Sequence, residues 1–396
     1  MCIRDRFKVV CVFAVVMPMV AYSVVAERRI SAWIQDRIGP NRVGIPFTNI
    51  KLLGLGQPLA DGLKALVKED FTPAHVRKVF YWMAPAVAMV PSFVVLAVVP
   101  FGSMLGEQKM VIADLDVGIL FTFGIVSLGG YGIVLAGYAS NSKYPFLGGI
   151  RSSAQMISYE IAMGMAVVPI FMLVGELSLS AVVAHQASGA WLVFKQPIAF
   201  IIFLIAIFAE TNRLPFDLPE SETELVAGYN TEYSSMRFAL FFMGEYAAMI
   251  AGSALMVVLF CGGWTLPLGD YFNTPAQSLG QGLVHIAVFI AKIAVFLGLM
   301  IWVRWMLPRF RYDQLMDLGW KFMLEAVTVY ILVIAFVILG IEAVGIPVGI
   351  WYALILFVVN LLLALMLFFM IDPVSYTHLR AHETEADLVC RLQLEK

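Results

Sequence analysis

ETNRLPFDLPESETELVAGYNTEYSSMRFALFFMGEY, residues 210–246, sets a run of acids between two apolar segments. Glu210, Asp217, Glu220, Glu222, Glu224 and Glu232 stand against one base, Arg213, and Glu245 follows inside the next apolar segment. The flanks decide the fold class. Residues 190–209 and 236–261 are apolar runs close to the length, about 20 residues, that crosses a hydrocarbon core about 30 Å thick. An ionisable group at that depth costs about 2.5–3.5 kcal/mol on insertion scales, so a cluster of carboxylates there points to a site, and to a path for protons.

Outward from this stretch the pattern repeats. Apolar runs also cover 7–26, 79–101, 116–139, 155–174, 282–303, 322–341 and 349–371, which makes nine candidate spans. The chain of 396 residues is 61% hydrophobic and 14% charged, with a mean hydropathy of +0.87. A soluble domain carries about a quarter charged residues, so this is an integral membrane protein with no large soluble domain. Backbone polar groups facing lipid must be satisfied internally, which predicts an all-α polytopic bundle. In the connector 54–70, Leu59, Leu63, Leu66 and Val67 recur at helical spacing between charges, predicting an amphipathic surface helix.

Charge sets the orientation. If the first span ends at Glu27, one face collects the basic residues from Arg28 to Lys78, then Lys143, Arg151, Arg213, Arg237, Arg304, Arg309, Arg311 and Lys321. The opposite loops hold Lys109 and Lys195. The positive-inside rule puts the basic face in the cytoplasm and the N-terminus outside, in a bacterial inner membrane. All the long polar loops share that face, so a soluble partner is expected to dock there, and a nucleic-acid partner is not expected. Residues 1–6 and 374–396 break from the apolar pattern and are read as non-native ends around one membrane domain, 7–371. Cys2, Cys11, Cys261 and Cys390 show no paired spacing, so neither a disulfide framework nor a metal or iron–sulfur site is expected.

Four stretches on the basic face carry candidate chemistry. ERRISAWIQDRIGPNRVG, 27–44, puts Glu27 at the membrane boundary beside Arg28 and Arg37. It reads either as a charged anchor or as a group that orients a polar head entering from lipid. LADGLKALVKED, 59–70, sets Asp61 on an otherwise apolar helix, as a capping acid or a site residue. NSKYPFLGGIRSSAQMISYE, 141–160, ends with Glu160 inside a span, where it needs a partner, water or a proton. Before it, Gly124, Gly129, Gly130, Gly132 and Gly137 are expected to allow close helix packing. In the acidic loop, Glu220 and Glu224 share a face if the segment is helical. Crowded carboxylates cannot all ionise, so such a loop holds protons and responds to a nearby charge. Lys292 sits mid-span, too deep for simple snorkelling, and is a candidate partner of the acids with its own partner left open, and Arg304 lies at the membrane edge.

Together with RWMLPRFRYDQLMDLGWK, 304–321, these runs resemble those of one membrane component of respiratory complex I, the proton-translocating NADH:quinone oxidoreductase: its H-type (type 1) subunit. The resemblance spans 7–371 in order. It implies that Glu27, Arg28, Arg37, Asp61, Arg213, Phe216 and Arg304 line or border a quinone tunnel. It implies a proton relay of Glu160, Glu210, Glu220, Glu222, Glu224 and Glu245, with Glu69 and Asp217 near its entrance. It also implies that quinone is the substrate, that other membrane and peripheral-arm subunits are partners, and that NADH, flavin and iron–sulfur clusters belong to those subunits. Two alternatives stand beside it: the membrane subunit of an energy-converting hydrogenase, and a free-standing proton-coupled transporter. The second predicts an internal repeat or paired broken helices, and the sequence shows neither.

Overall fold

The structure, a computed structural model, describes residues 3–44, 54–104, 108–219, 225–267, 269–345, 349 and 351–367. Glu220, Glu222, Glu224 and the tail 374–396 lie outside the described residues. The principal helices are α1 (Ile3–Ile34), α2 (Gln57–Val67), α3 (Lys78–Val95), α4 (Gly118–Ala139), α5 (Lys143–Val174), α6 (Leu179–Ala187), α7 (Leu192–Lys195), α8 (Pro197–Glu210), α9 (Ser235–Phe260), α10 (Leu279–Met306), α11 (Tyr312–Val344) and α12 (Trp351–Leu367).

Among the described residues α1, α3, α4, α5, α9, α10 and α11 are long and apolar enough to cross a membrane, and α8 and α12 are shorter apolar helices. These segments fall on the nine predicted runs. The chain is an all-α polytopic membrane protein, and α2 is the surface helix that its spacing predicts. Leu59, Leu63, Leu66 and Val67 are all exposed along it, and no residue of α2 is buried.

The centre of the bundle is α9. A helix that is apolar on every side must be enclosed, and Ala254 through Phe260 are all buried. Around it pack α3, α10, α1 and α8, with the Phe203 ring of α8 against its own Phe260. A second cluster joins Tyr81 of α3, Ile133 and Ala136 of α4, and Tyr229, Tyr233 and Phe241 near the start of α9.

Small residues let α3, α4 and α5 approach, though not at every predicted position. A Cβ on Gly132 would lie 2.5 Å from the backbone nitrogen of Ala88, and one on Gly137 2.6 Å from the Pro145 carbonyl. Gly124 and Gly129 face open space, and Gly130 only brushes Met156. α4 therefore makes close contacts on two sides, at Gly132 with α3 and at Gly137 with α5. A glycine run cannot reveal which positions those are, because spacing says nothing about the neighbour.

Early in α11 the helix widens into a π-helical segment, Leu318–Met323, against α5. Trp320 Nε1 donates to Ser158 Oγ at 2.8 Å, and Tyr159 Oη donates to the Leu315 carbonyl at 2.8 Å. These bonds fix the start of α11 and the loop before it, whose Arg309 and Phe310 meet Asp217 and Pro215.

Candidate functional site

The ends of α1, α8, α9 and α10 meet on the basic face, and each delivers one charge. Glu27 comes from α1, Arg213 from the loop after α8, Glu245 from the third turn of α9, and Arg304 from the last turn of α10. Arg213 Nη1 donates to Glu27 Oε1 at 3.0 Å, and its Nε reaches Glu245 Oε1 at 2.9 Å. Arg304 Nη1 bonds the same Glu27 oxygen, and Tyr246 Oη donates to Glu27 Oε2 at 2.7 Å. The Arg213 guanidinium also lies 4.7 Å from the Tyr246 ring centre. Glu27 and Arg213 are only 5% and 7% exposed. Burying charges is tolerable only with such pairing, and two arginines against two carboxylates leave the group formally neutral.

A polar knot positions Arg213. Gln155 on α5 points its amide nitrogen at the Ala209 carbonyl (2.7 Å), the Phe216 carbonyl (3.0 Å) and Asn212 Oδ1 (3.2 Å). Asn212 Nδ2 donates to Ser152 Oγ at 3.0 Å. Asn212 adopts φ 49°, in the left-handed region that asparagine tolerates best after glycine. The backbone thus reverses after α8 and turns Arg213 toward Glu27. Beyond it, Arg309 Nη2 meets Asp217 Oδ2 at 3.1 Å and Phe310 N donates to the Pro215 carbonyl at 3.2 Å. Burial pushes the Asp217 carboxyl above the ordinary range, against the opposing pull of Arg309 and Arg213.

Four neighbouring spaces share walls. A groove of about 420 Å³ opens between Met17, Val20 and Val24 of α1, Pro58 and Ala65 of α2, and Phe238 and Met243 of α9. Val24, Arg28, Phe242 and Tyr246 separate it from an open cavity of about 670 Å³, which Glu27, Arg37, Arg304 and Trp305 line. Phe242, Tyr246 and Arg304 then border a pocket of about 140 Å³ beside Arg213, Asp217 and Glu245. Asn212 and Glu245 border the last space, an interior cavity of about 90 Å³ that reaches Glu210, Thr211 and Tyr229. A water needs about 10–15 Å³ measured in this way and several polar partners, so that cavity has room for several waters.

The predicted residues separate into groups. Glu27, Arg213, Glu245 and Arg304 form the central cluster. Arg28 pairs with Asp61 at 2.8 Å on the rim of the groove, where Gln57 also donates to Asp61 at 3.0 Å. Asp61 therefore spans to α1 and does not cap α2. Arg37 lines the open cavity and donates to Gln35 at 2.7 Å. Glu210 borders the cavity of about 90 Å³ at the end of α8, and Glu160 lies on α5, which packs against α8. Phe216 borders none of the four spaces. It is 4% exposed and packs on Tyr159 and Phe310, with centroids 5.6 and 5.7 Å away. Its position between two ringed neighbours, both distant in the chain, is invisible in sequence. Glu69 is exposed just past α2.

Lys292 settles on backbone carbonyls. Its ammonium donates to the carbonyls of Cys261, Gly263 and Thr265 at 2.7, 2.9 and 2.6 Å and lies 4.3 Å from the Trp191 ring centre. It ties down the turn that follows α9, from the C-cap residue Cys261 to Thr265, and these backbone carbonyls hold its charge where a carboxylate was the candidate. Tyr246, Gln155 and Asn212 are the residues that sequence reading passed over. An amide in mid-span, such as Gln155, is a signal of the same kind as a buried acid.

The cluster of paired charges, beside the groove between α1, α2 and α9, falls inside the region shared with known proteins. The family model described as NADH dehydrogenase matches residues 7–335. The chain belongs to the NADH dehydrogenase family. Similar curated relatives are H-type subunits of NADH-quinone oxidoreductase. The form numbered 1 from Geobacter metallireducens is 49% identical over 336 residues that cover 84% of this chain and 95% of that one. The form numbered 1 from Cytophaga hutchinsonii is 45% identical over 332 residues, covering 82% and 94%. The Flavobacterium johnsoniae protein is 44% identical over 341 residues, covering 85% and 95%. Within the family, the matched span holds the whole of the Glu27, Arg213, Glu245 and Arg304 cluster.

Proposed function

We propose that this chain is the membrane subunit of a proton-pumping NADH:quinone oxidoreductase, and that it both admits the quinone and relays the charge change of its reduction. The observation that carries this reading is the single Arg213 guanidinium that joins Glu27, facing the open cavity, to Glu245, facing the interior cavity. The apolar groove between α1, α2 and α9 suits an isoprenoid tail, and the polar cavity beyond it suits a quinone head group. Quinone is the substrate here. NADH, flavin and iron–sulfur clusters are assigned to partner subunits that dock on the basic face, and the chain itself holds no covalent cofactor.

Reduction of a quinone takes up electrons from those partners and protons from its surroundings. A change of charge near Glu27 alters how strongly Glu27 holds Arg213, and Glu245 feels the difference through the same guanidinium. In a poorly hydrated site such shifts are large, because opposite charges at these distances interact strongly. Glu245, Glu210 and Glu160 then pass protons toward neighbouring subunits, with Glu220, Glu222 and Glu224 as further members of the relay. The basic face is cytoplasmic and the N-terminus lies outside a bacterial inner membrane.

The first test is to purify the protein from native membranes in mild detergent and score NADH:quinone activity that a quinone-site inhibitor blocks. Activity that co-purifies and is blocked supports the reading. Purification with hydrogenase subunits and no quinone activity would instead make the chain the membrane subunit of an energy-converting hydrogenase. In the intact complex, Glu245→Gln is then expected to uncouple quinone reduction from proton uptake into vesicles. Full coupling in that variant would sink the relay.

A further inference from the structure

The groove between α1 and α9 has α2 as its third wall, yet α2 buries no residue of its own. An exposed ion pair such as Arg28–Asp61 is too weakly held to fix a helix by itself. The stronger hold comes from the first turn of α9. Ser235 is 8% exposed, and its hydroxyl lies 2.8 Å from the Ala65 carbonyl and 3.1 Å from the Lys68 carbonyl, at the C-terminal end of α2. Its backbone sits at φ 56°, a region that a serine enters only when its surroundings require it.

Arg237, two residues on, completes the grip. Its side chain is 9% exposed, with Nη2 2.7 Å from Asp70 Oδ2 and Nη1 2.8 Å from Thr72 Oγ1. The guanidinium lies 4.1 Å from the Trp82 ring centre and 5.1 Å from that of Tyr81. Tyr81 is itself fixed, stacked on Tyr233 at 4.3 Å and donating to the Glu232 carbonyl at 2.6 Å. Arg237 therefore ties the segment after α2 to α3, a helix packed against α4 and α9. Ser235 lines the groove and Arg237 does not.

We propose that Ser235 and Arg237 form a latch that holds α2 in place as the movable wall of the groove, and so set which long-tailed quinones pass. Both are positioning residues, and neither touches the polar cavity beyond the groove. The proposal rests on the quinone reading above, but its two halves can be tested apart.

The experiment uses the intact, detergent-solubilised complex carrying Arg237→Gln, Arg237→Lys or Ser235→Gly. Amide hydrogen exchange across residues 59–67 reports the latch, and steady-state kinetics with a short-tailed and a long-tailed quinone report the groove. Exchange is expected to accelerate by about tenfold in Arg237→Gln, through local opening of α2, and less in Arg237→Lys, which keeps the charge facing Asp70. The KM for the long-tailed quinone is expected to shift several-fold, on the order of the exchange effect, while kcat with the short-tailed quinone stays unchanged.

Ser235→Gly relieves the left-handed strain and removes only the hydroxyl contacts, so it keeps the test open if the arginine variants fail to assemble. Unchanged exchange in a folded variant overturns the latch. Faster exchange with both KM values unchanged overturns the role of this groove in admitting quinone and leaves α2 merely tethered.

Discussion

Arg213 touches two carboxylates with different surroundings, and removing it strands both. Breaking a buried pair costs about 3–5 kcal/mol, so Arg213→Gln should lower the thermal stability of the purified complex sharply. Arg213→Lys keeps a charge but loses the fork that reaches Glu27 and Glu245 together, and it should retain assembly while losing coupled proton uptake. Asp217 offers a pH test. Its folded value lies above the unfolded value near 3.8, so between the two the folded chain binds more protons than the unfolded one. Its contribution to stability is full below the unfolded value and is lost as pH rises through the folded one. Asp217→Asn should remove that slope, and scanning calorimetry across the acid range would show the wild type losing stability relative to the variant as pH rises. A constant difference would remove Asp217 as the source. The acids themselves were legible in sequence, because a carboxylate in an apolar run stands out whatever its partner. The partner was not: Arg213 and Glu27 stand 186 residues apart along the chain, and only folding sets them 3.0 Å apart in space.

At the scale of elements, the nine apolar runs announced themselves by length and composition, while their contacts did not. Gly132→Ala tests the α3–α4 approach. Its new Cβ would press on the Ala88 backbone, which cannot rotate away as a side chain could, so assembly of the variant should fall. Gly124→Ala, facing open space, should assemble normally, and equal yields of the two in membrane extracts would contradict the packing described here. Lys292 makes a parallel case on the far side. Lys292→Met strips a donor from three carbonyls in the turn after α9 and should cost about 1–3 kcal/mol, read as a lower unfolding midpoint with quinone reduction preserved in the surviving complex. The sequence showed a lysine at membrane depth and left an acid as a candidate for it. Backbone carbonyls in a turn serve equally well, and no residue type marks them in a sequence.

For the whole molecule, charge and hydropathy set the arrangement relative to the bilayer. A membrane-impermeant thiol reagent should label Lys68→Cys only from the cytoplasmic side and Lys109→Cys only from the outside. The reverse pattern would overturn the orientation. The four adjoining spaces share residues at the ends of α1, α8, α9 and α10, where the charged cluster sits. By itself the sequence determined the helical class, the number of apolar segments, the amphipathic character of α2 and the places where ionisable groups enter the membrane, because each follows from local composition and the cost of exposing backbone or charge to lipid. Only the tertiary structure decided which charges meet. Glu27 could have anchored a helix end, Asp61 could have capped one, and Phe216 could have lined a cavity; burial and distance made the first the centre of a cluster, sent the second across to Arg28, and packed the third into the core. Those outcomes depend on how helices distant in sequence cross, and the local pattern of a span is compatible with many crossings.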